Sequence, residues 1–173
     1  MTLPEGTREH RRQASALESI RCAVITVSDT RTEATDESGK LIQQLLTGAG
    51  HTIVRYVLLP NVEALVTSHV AELLGDDADA VILTGGTGLG EKDRTVEAVQ
   101  PLLDKELPGF GELFRFLSYQ EQIGSAAILS RAVAGGARRT LVVALPGSRA
   151  AVELALTKIL LPELKHLVWE LRK

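Results

Sequence analysis

Between Thr84 and Glu97 the chain reads TGGTGLGEKDRTVE, with glycines at 85, 86, 88 and 90. Two cations and two carboxylates follow at Lys92, Asp93, Arg94 and Glu97. Glycine permits positive φ and close approach of a ligand, so this loop could line a concavity with backbone N–H groups fit for a phosphate or a carboxylate. The spacing is not GxGxxG, and no Gly-Lys-Ser/Thr follows as a P-loop requires, so the glycines alone are equally a tight turn. Asp93 or Thr95 would serve as a helix N-cap, with Glu97 favouring the helix dipole. The chemical reading of Asp93 is a magnesium-nucleotide site, because Mg²⁺ needs only one or two carboxylates while waters and substrate phosphates complete its octahedron. Lys92, Arg94 and Arg31 are candidates for neutralising phosphate. Two further stretches carry similar groups: TVSDTR (Thr26–Arg31), with Ser28 and Asp29, and ALPGSR (Ala144–Arg149), with Pro146, Gly147 and Ser148 at a helix start. Each alone could be a capped turn, though an exposed helix N-terminus is itself an anion site.

These groups act together only if the fold gathers them. RCAVITVSD, TIVRYVLLP and DAVILTGG are short apolar, β-branched runs, the pattern of strands buried on both faces. Between them DESGKLIQQLLTGAGH and NVEALVTSHVAELLGD have helical periodicity, the first closed by Gly48 and Gly50, the second with Asn61 at the N-cap position. The alternation predicts βαβ crossovers and a mostly parallel sheet covered on both faces. Ligands in such folds sit beyond the carboxyl ends of strands, which is where all three polar stretches fall. Later in the chain, two helical segments broken at Pro108 and Gly109 precede AILSRAVAGGA, a short extra strand at a sheet edge. RTLVVALPG is a further strand, SRAAVELALTKIL a helix, and Pro162 restarts a last amphipathic helix.

The 173 residues suffice for one domain with a core, and 45% hydrophobic composition fits a globular chain. A net charge of -3 gives no bulk field for nucleic acid or an anionic membrane, and 3% aromatic content leaves little for base stacking. No apolar run reaches the roughly 18 residues of a membrane span, and the start lacks an apolar signal core, so a cytoplasmic protein is expected. Cys22 reads as a buried strand cysteine. His10, His51, His69 and His166 show no i, i+4 pairing of the kind that marks zinc sites. Residues 1–19, polar and without a wide apolar stripe, read as a flexible arm or one leaning on a neighbour, and 20–173 as a single domain.

In combination, VSDTR (Val27–Arg31), ILTGGTG (Ile82–Gly88), Asp93 with Thr95, Glu97 and Ala98, LPGFGE (Leu107–Glu112), LSR (Leu129–Arg131) and LPGS (Leu145–Ser148) resemble the MoaB/MogA family of molybdenum-cofactor biosynthesis proteins. The resemblance runs from about Ile20 to Leu161 and is strongest to the MoaB branch. It implies a three-layer α/β/α fold, Rossmann-like and mostly parallel with a short antiparallel edge, assembled as a homotrimer or a homohexamer. It also implies molybdopterin bound near the glycine loop and, in active members, adenylylation of molybdopterin by Mg²⁺-ATP with release of pyrophosphate. Carried over by position, Asp93 matches an acid required for activity and the candidate Mg²⁺ ligand. Gly85, Gly86, Thr87 and Gly88 match the loop at the ligand, Asp29 and Ser148 match polar lining residues, and Ser28, Thr84, Arg94, Pro146 and Gly147 stand beside them. Active members tend to carry an acid after the second strand, where this chain has Asn61, which keeps the shape and an oxygen but not the charge. Val96 replaces a usual proline. The alternative implied is a non-catalytic, molybdopterin-binding oligomeric scaffold; a generic nucleotide-dependent α/β enzyme is a third.

Overall fold

The structure, a computed structural model, describes residues 5–75 and 77–173. The elements in order are α1 (Glu5–Ala14), β1 (Arg21–Val27), α2 (Glu37–Gly48), β2 (Thr52–Leu59), α3 (Glu63–Leu73), β3 (Ala80–Thr84) and α4 (Thr95–Val99). They continue with β4 (Lys105–Glu106), α5 (Pro108–Ser118), β5 (Val133–Ala137), β6 (Thr140–Leu145), α6 (Arg149–Ala155) and α7 (Leu161–Arg172). One six-stranded sheet has the order β2-β1-β3-β6-β5-β4. β2, β1, β3 and β6 are mutually parallel, whereas β5 runs antiparallel to β6 and β4 antiparallel to β5.

The apolar runs form central strands because both faces are covered. Along β1, Cys22 and Val24 join a core with α2, α5, α6 and α7, while Ala23, Ile25 and Val27 join a second core with α3 and α4. That alternation makes the fold a three-layer α/β/α sandwich. From β1 the chain crosses through α2 to β2 on one side, then through α3, on the other face, to β3. The strand order therefore reverses at β1, which opens a crevice beyond the carboxyl ends of β1 and β3.

Several local expectations are corrected. Val62, not Asn61, is the N-cap of α3, and its side chain makes no capping bond. Neither Asp93 nor Thr95 caps α4, whose N-cap is Arg94. Pro108 begins α5 instead of breaking a helix, since proline is favoured where the N–H has no helical partner. AILSRAVAGGA supplies β5 one place in from the edge, and the two-residue β4 is the edge itself. A π-helical turn, Leu156–Leu160, carries the chain from α6 into α7, so Pro162 sits in a first turn.

The N-terminal stretch, read as an arm, carries α1. Its inner face is built from His10, Arg11 and Ala14, of which Ala14 is buried, and Arg11 pairs with Glu163 and His10 with Glu170 on α7. A docking face made of charge and imidazole leaves no apolar stripe in the sequence. Met1–Pro4, also part of the predicted arm, lie outside the described residues. Among the described residues no helix is long and apolar enough to cross a membrane.

Candidate functional site

A cavity of about 660 Å³ opens at the carboxyl ends of the parallel strands, and the exits of β1, β3 and β6 all line it. The β1 exit is shaped by Ser28, whose N–H donates to Leu59 O (2.8 Å) and whose Oγ accepts from the N–H groups of Thr30 and Arg31 (3.3 and 3.1 Å). Asp29 Oδ1 accepts from the Asn61 N–H (2.8 Å), which ties the β1 exit to the β2 exit.

The glycine loop turns at two positions that require glycine. Gly85 has φ +93° and a Cβ there would lie 2.2 Å from Val27 O; Gly86 has φ +62° and a Cβ would lie 2.4 Å from both Asn61 Oδ1 and Thr95 Oγ1. Thr95 then locks the turn, its hydroxyl donating to Gly85 O (2.8 Å) and its N–H to Gly86 O (2.9 Å). Thr84 Oγ1 donates to Pro146 O (3.1 Å), joining the β3 exit to the β6 exit. Ser148 does cap α6, accepting from the Ala151 N–H (3.2 Å).

Asp93 lines the cavity, half-buried, with Oδ2 accepting from the Gly90 N–H at 3.1 Å. Its Oδ1 has no hydrogen-bond partner among the described residues, and neither does Oδ2 of Asp29. Asp29 and Asp93 thus each present an oxygen to spare to the cavity, which Glu37 also lines, a donor set that suits Mg²⁺ accompanied by substrate phosphate. Asn61 also lines it; its Oδ1 is buried and has no hydrogen-bond partner among the described residues.

Two residues expected to neutralise phosphate lie elsewhere. Arg94 is not a lining residue: it turns toward α3 and pairs with Glu63, Nε and Nη2 lying 2.9 and 2.8 Å from Oε2. Lys92 is exposed and likewise absent from the lining. The guanidinium-bearing residues that do line the cavity are Arg31, as predicted, and Arg149.

Two groups had no role assigned from sequence. Asp36 is buried in the wall, where its Oδ2 accepts from Thr26 Oγ1 and from the Tyr56 hydroxyl, each at 2.6 Å, and its Oδ1 caps α2 through the Gly39 N–H at 2.9 Å. Burial, then the bond to Asp36, pushes the Tyr56 hydroxyl pKa well up, so the phenol keeps its proton and donates. Arg131 clasps the glycine loop from outside the cavity. Its Nε donates to Thr87 O (2.9 Å) and its Nη2 to Asp93 O (3.1 Å), while the same fork holds Glu97 at 2.6 and 3.2 Å. The hydrogen bond from Arg131 holds the Glu97 carboxyl below its usual range and raises Arg131 in turn. Arg131 had appeared only inside the LSR motif, and no local pattern links it to a partner 34 positions earlier.

The family described as "Probable molybdopterin binding domain" matches residues 23–166, most of the chain. The chain belongs to the MoaB/MogA family of molybdenum-cofactor biosynthesis proteins. Among other members, Molybdenum cofactor biosynthesis protein B of Bacillus subtilis is 52% identical over 169 residues, covering 97% of this chain and 98% of its own. A crystal structure of a Molybdenum cofactor biosynthesis protein B superposes with a TM-score of 0.85 at 48% identity, covering 89% of this chain and 96% of that one. The tungsten cofactor synthesizing protein MoaB of Pyrococcus furiosus gives a TM-score of 0.80 at 38% identity, covering 90% and 99%.

Proposed function

We propose that this cavity binds molybdopterin and, with Mg²⁺-ATP, adenylylates its terminal phosphate. The observation that carries the reading is the convergence of the β1, β3 and β6 exits on one cavity, which combines a glycine loop with Asp29, Asp93, Arg31 and Arg149. In the reaction an oxygen of the pterin's terminal phosphate forms a bond to the α-phosphorus of ATP, the bond to the bridging oxygen breaks, and pyrophosphate leaves. Such a transfer needs positioning and charge neutralisation more than a protein nucleophile. The loop N–H groups orient a phosphate, Arg31 and Arg149 offset its charge, and Asp93, its Oδ2 held by Gly90, keeps Oδ1 for a metal ligand's role. Asp93 and Asp29 would hold Mg²⁺, which when bound screens the charge that builds on the phosphates.

A second reading is a non-catalytic scaffold that binds and delivers the pterin. Asn61 favours it, since a neutral amide with an unpartnered oxygen stands where an acid is expected of active members. Incubating the pure protein with molybdopterin, Mg²⁺ and ATP tests both: adenylylated pterin supports the enzyme, and binding without product supports the scaffold. We also propose a homotrimer or homohexamer. Phe116, Tyr119, Ile123, Ile128 and Leu129 leave large apolar side chains exposed on and after α5. A monomer in sedimentation equilibrium would remove this proposal.

A further inference from the structure

Away from the cavity, where α1 lies along α7, two imidazoles and a carboxylate converge. His10 Nδ1 is 3.0 Å from Glu170 Oε1, and His166 Nε2 is 3.7 Å from the same oxygen; all three ligand atoms lie within 4.8 Å of one another. His166 and Glu170 are four residues apart on one face of α7, and His10 comes from α1. Separations of 3.0 and 3.7 Å bracket the edge of about 3.3–3.4 Å expected of a tetrahedral ion with bonds of about 2.0–2.1 Å to nitrogen and oxygen.

The surroundings of His166 are the stronger observation. Its Nδ1 faces Glu163 Oε2 at 3.0 Å, and in a neutral ring that donates from Nδ1 to this carboxylate the lone pair stands on Nε2. That Nε2 is buried and has no hydrogen-bond partner among the described residues, with Glu170 Oε1 3.7 Å away. A buried ring nitrogen without a partner costs free energy, and a cation bound to a neutral ring at this point would satisfy it. The carboxylate behind the ligating ring is the arrangement that orients histidines at metal centres. Glu163 is itself held by Arg11 of α1, and Glu170 keeps Oε1 toward the histidines while Lys173 stands 3.7 Å from its other oxygen.

We propose that His10, His166 and Glu170 bind a divalent transition-metal ion of the zinc class, which clips α1 to α7, with Glu163 as the positioning residue. Two imidazoles and one carboxylate select Zn²⁺, Co²⁺ or Ni²⁺ over Mg²⁺ or Ca²⁺. The partial exposure of His10 and Glu170 leaves the fourth position to water.

The test uses the full chain without an affinity tag, stripped with a chelator and dialysed against Zn²⁺ alone, with bound metal measured by mass spectrometry. One Zn²⁺ per chain is expected, with a Tm that climbs with Zn²⁺ and does not with Mg²⁺. His10→Gln and His166→Gln should each weaken binding at least tenfold, and Glu163→Gln by about tenfold. His69→Gln, on α3, should leave it unchanged. Co²⁺ should show visible bands of a tetrahedral centre in the parent and lose them in His10→Gln, a variant of the outermost helix that keeps the core intact. Absence of stoichiometric Zn²⁺ binding, or its survival in the His10→Gln/His166→Gln double variant, overturns the proposal.

Discussion

If Arg131 is a clasp on the glycine loop, replacing it should cost much more than replacing its acidic partner. Arg131→Met keeps the aliphatic stem and removes the guanidinium, which holds two carbonyls of the loop and the Glu97 carboxylate. Hydrogen bonds from a charged donor are each worth about 1.5 kcal/mol at the low end, the end appropriate to a side chain that is 28% exposed. The ion pair, whose acid is 32% exposed, adds about 0.5–1 kcal/mol after solvent screening. Because water can reach part of what is vacated, Arg131→Met should destabilise by about 2–3 kcal/mol, whereas Glu97→Gln should cost only the pair, about 0.5–1 kcal/mol. Urea unfolding followed by circular dichroism measures both. Amide exchange should show the extra loss at Thr87–Asp93, and the double variant should resemble Arg131→Met alone, since the pair is already broken. Were Arg131→Met to cost no more than Glu97→Gln, Arg131 would be half of a surface ion pair and the clasp would be wrong.

Gly86→Ala combines φ +62° with two oxygens 2.4 Å from the new methyl, so a loss of about 2–4 kcal/mol is expected in thermal or urea melts. A variant as stable as the parent would mean the loop relaxes freely. Asp93→Ala should abolish adenylylation while moving stability by about 1 kcal/mol or less, since its one contact is to a partly exposed loop N–H; unfolding would return Asp93 to a structural role. His51 predicts a pH effect. Burial lowers its pKa, aided by Lys165, and its Nδ1 accepts from the Ile20 N–H. The unfolded chain takes up the proton more readily, so this contribution is complete above about pH 6.5 and fades as pH falls through the lower folded value. The urea midpoint should therefore drop on acidification, and His51→Gln should lose that share of the slope.

What could be read from residues was whatever sits at a strand end. That Ser28, Asp29, Thr84 to Gly88 and Ser148 line one cavity was legible because buried apolar runs mark where strands stop, and parallel topology sends those stops to one edge. Arg94 was misplaced because position relative to a loop does not fix direction: it precedes α4 at the point where the chain faces α3, and Glu63 takes it. Arg131 and Asp36 escaped for the opposite reason, since their partners come from distant segments that only the folded sheet brings together. β4 is two residues long, too short for any alternation to register. The α1–α7 contact was hidden because its pairing is between histidine and carboxylate, which periodicity of apolar residues does not reveal.

Asn61 is where these lines meet, and its replacement by aspartate separates them. Its N–H already serves Asp29, and its buried side-chain oxygen, beside Gly86, has no donor among the described residues. A carboxylate of the same shape would place a second negative charge beside Asp29 in a partly dehydrated floor, which raises its pKa or costs stability unless a cation intervenes. Asparagine lets the floor hold its shape without one. Asn61→Asp should then be less stable than the parent by about 1–2 kcal/mol at neutral pH in chelator, with the deficit shrinking at low pH and on adding Mg²⁺. Turnover that appears or rises in the same variant would locate the limit on catalysis at this residue. Stability indifferent to both pH and Mg²⁺ would show that position 61 and Asp29 do not share a cation, and Asp93 would be left as the metal's anchor.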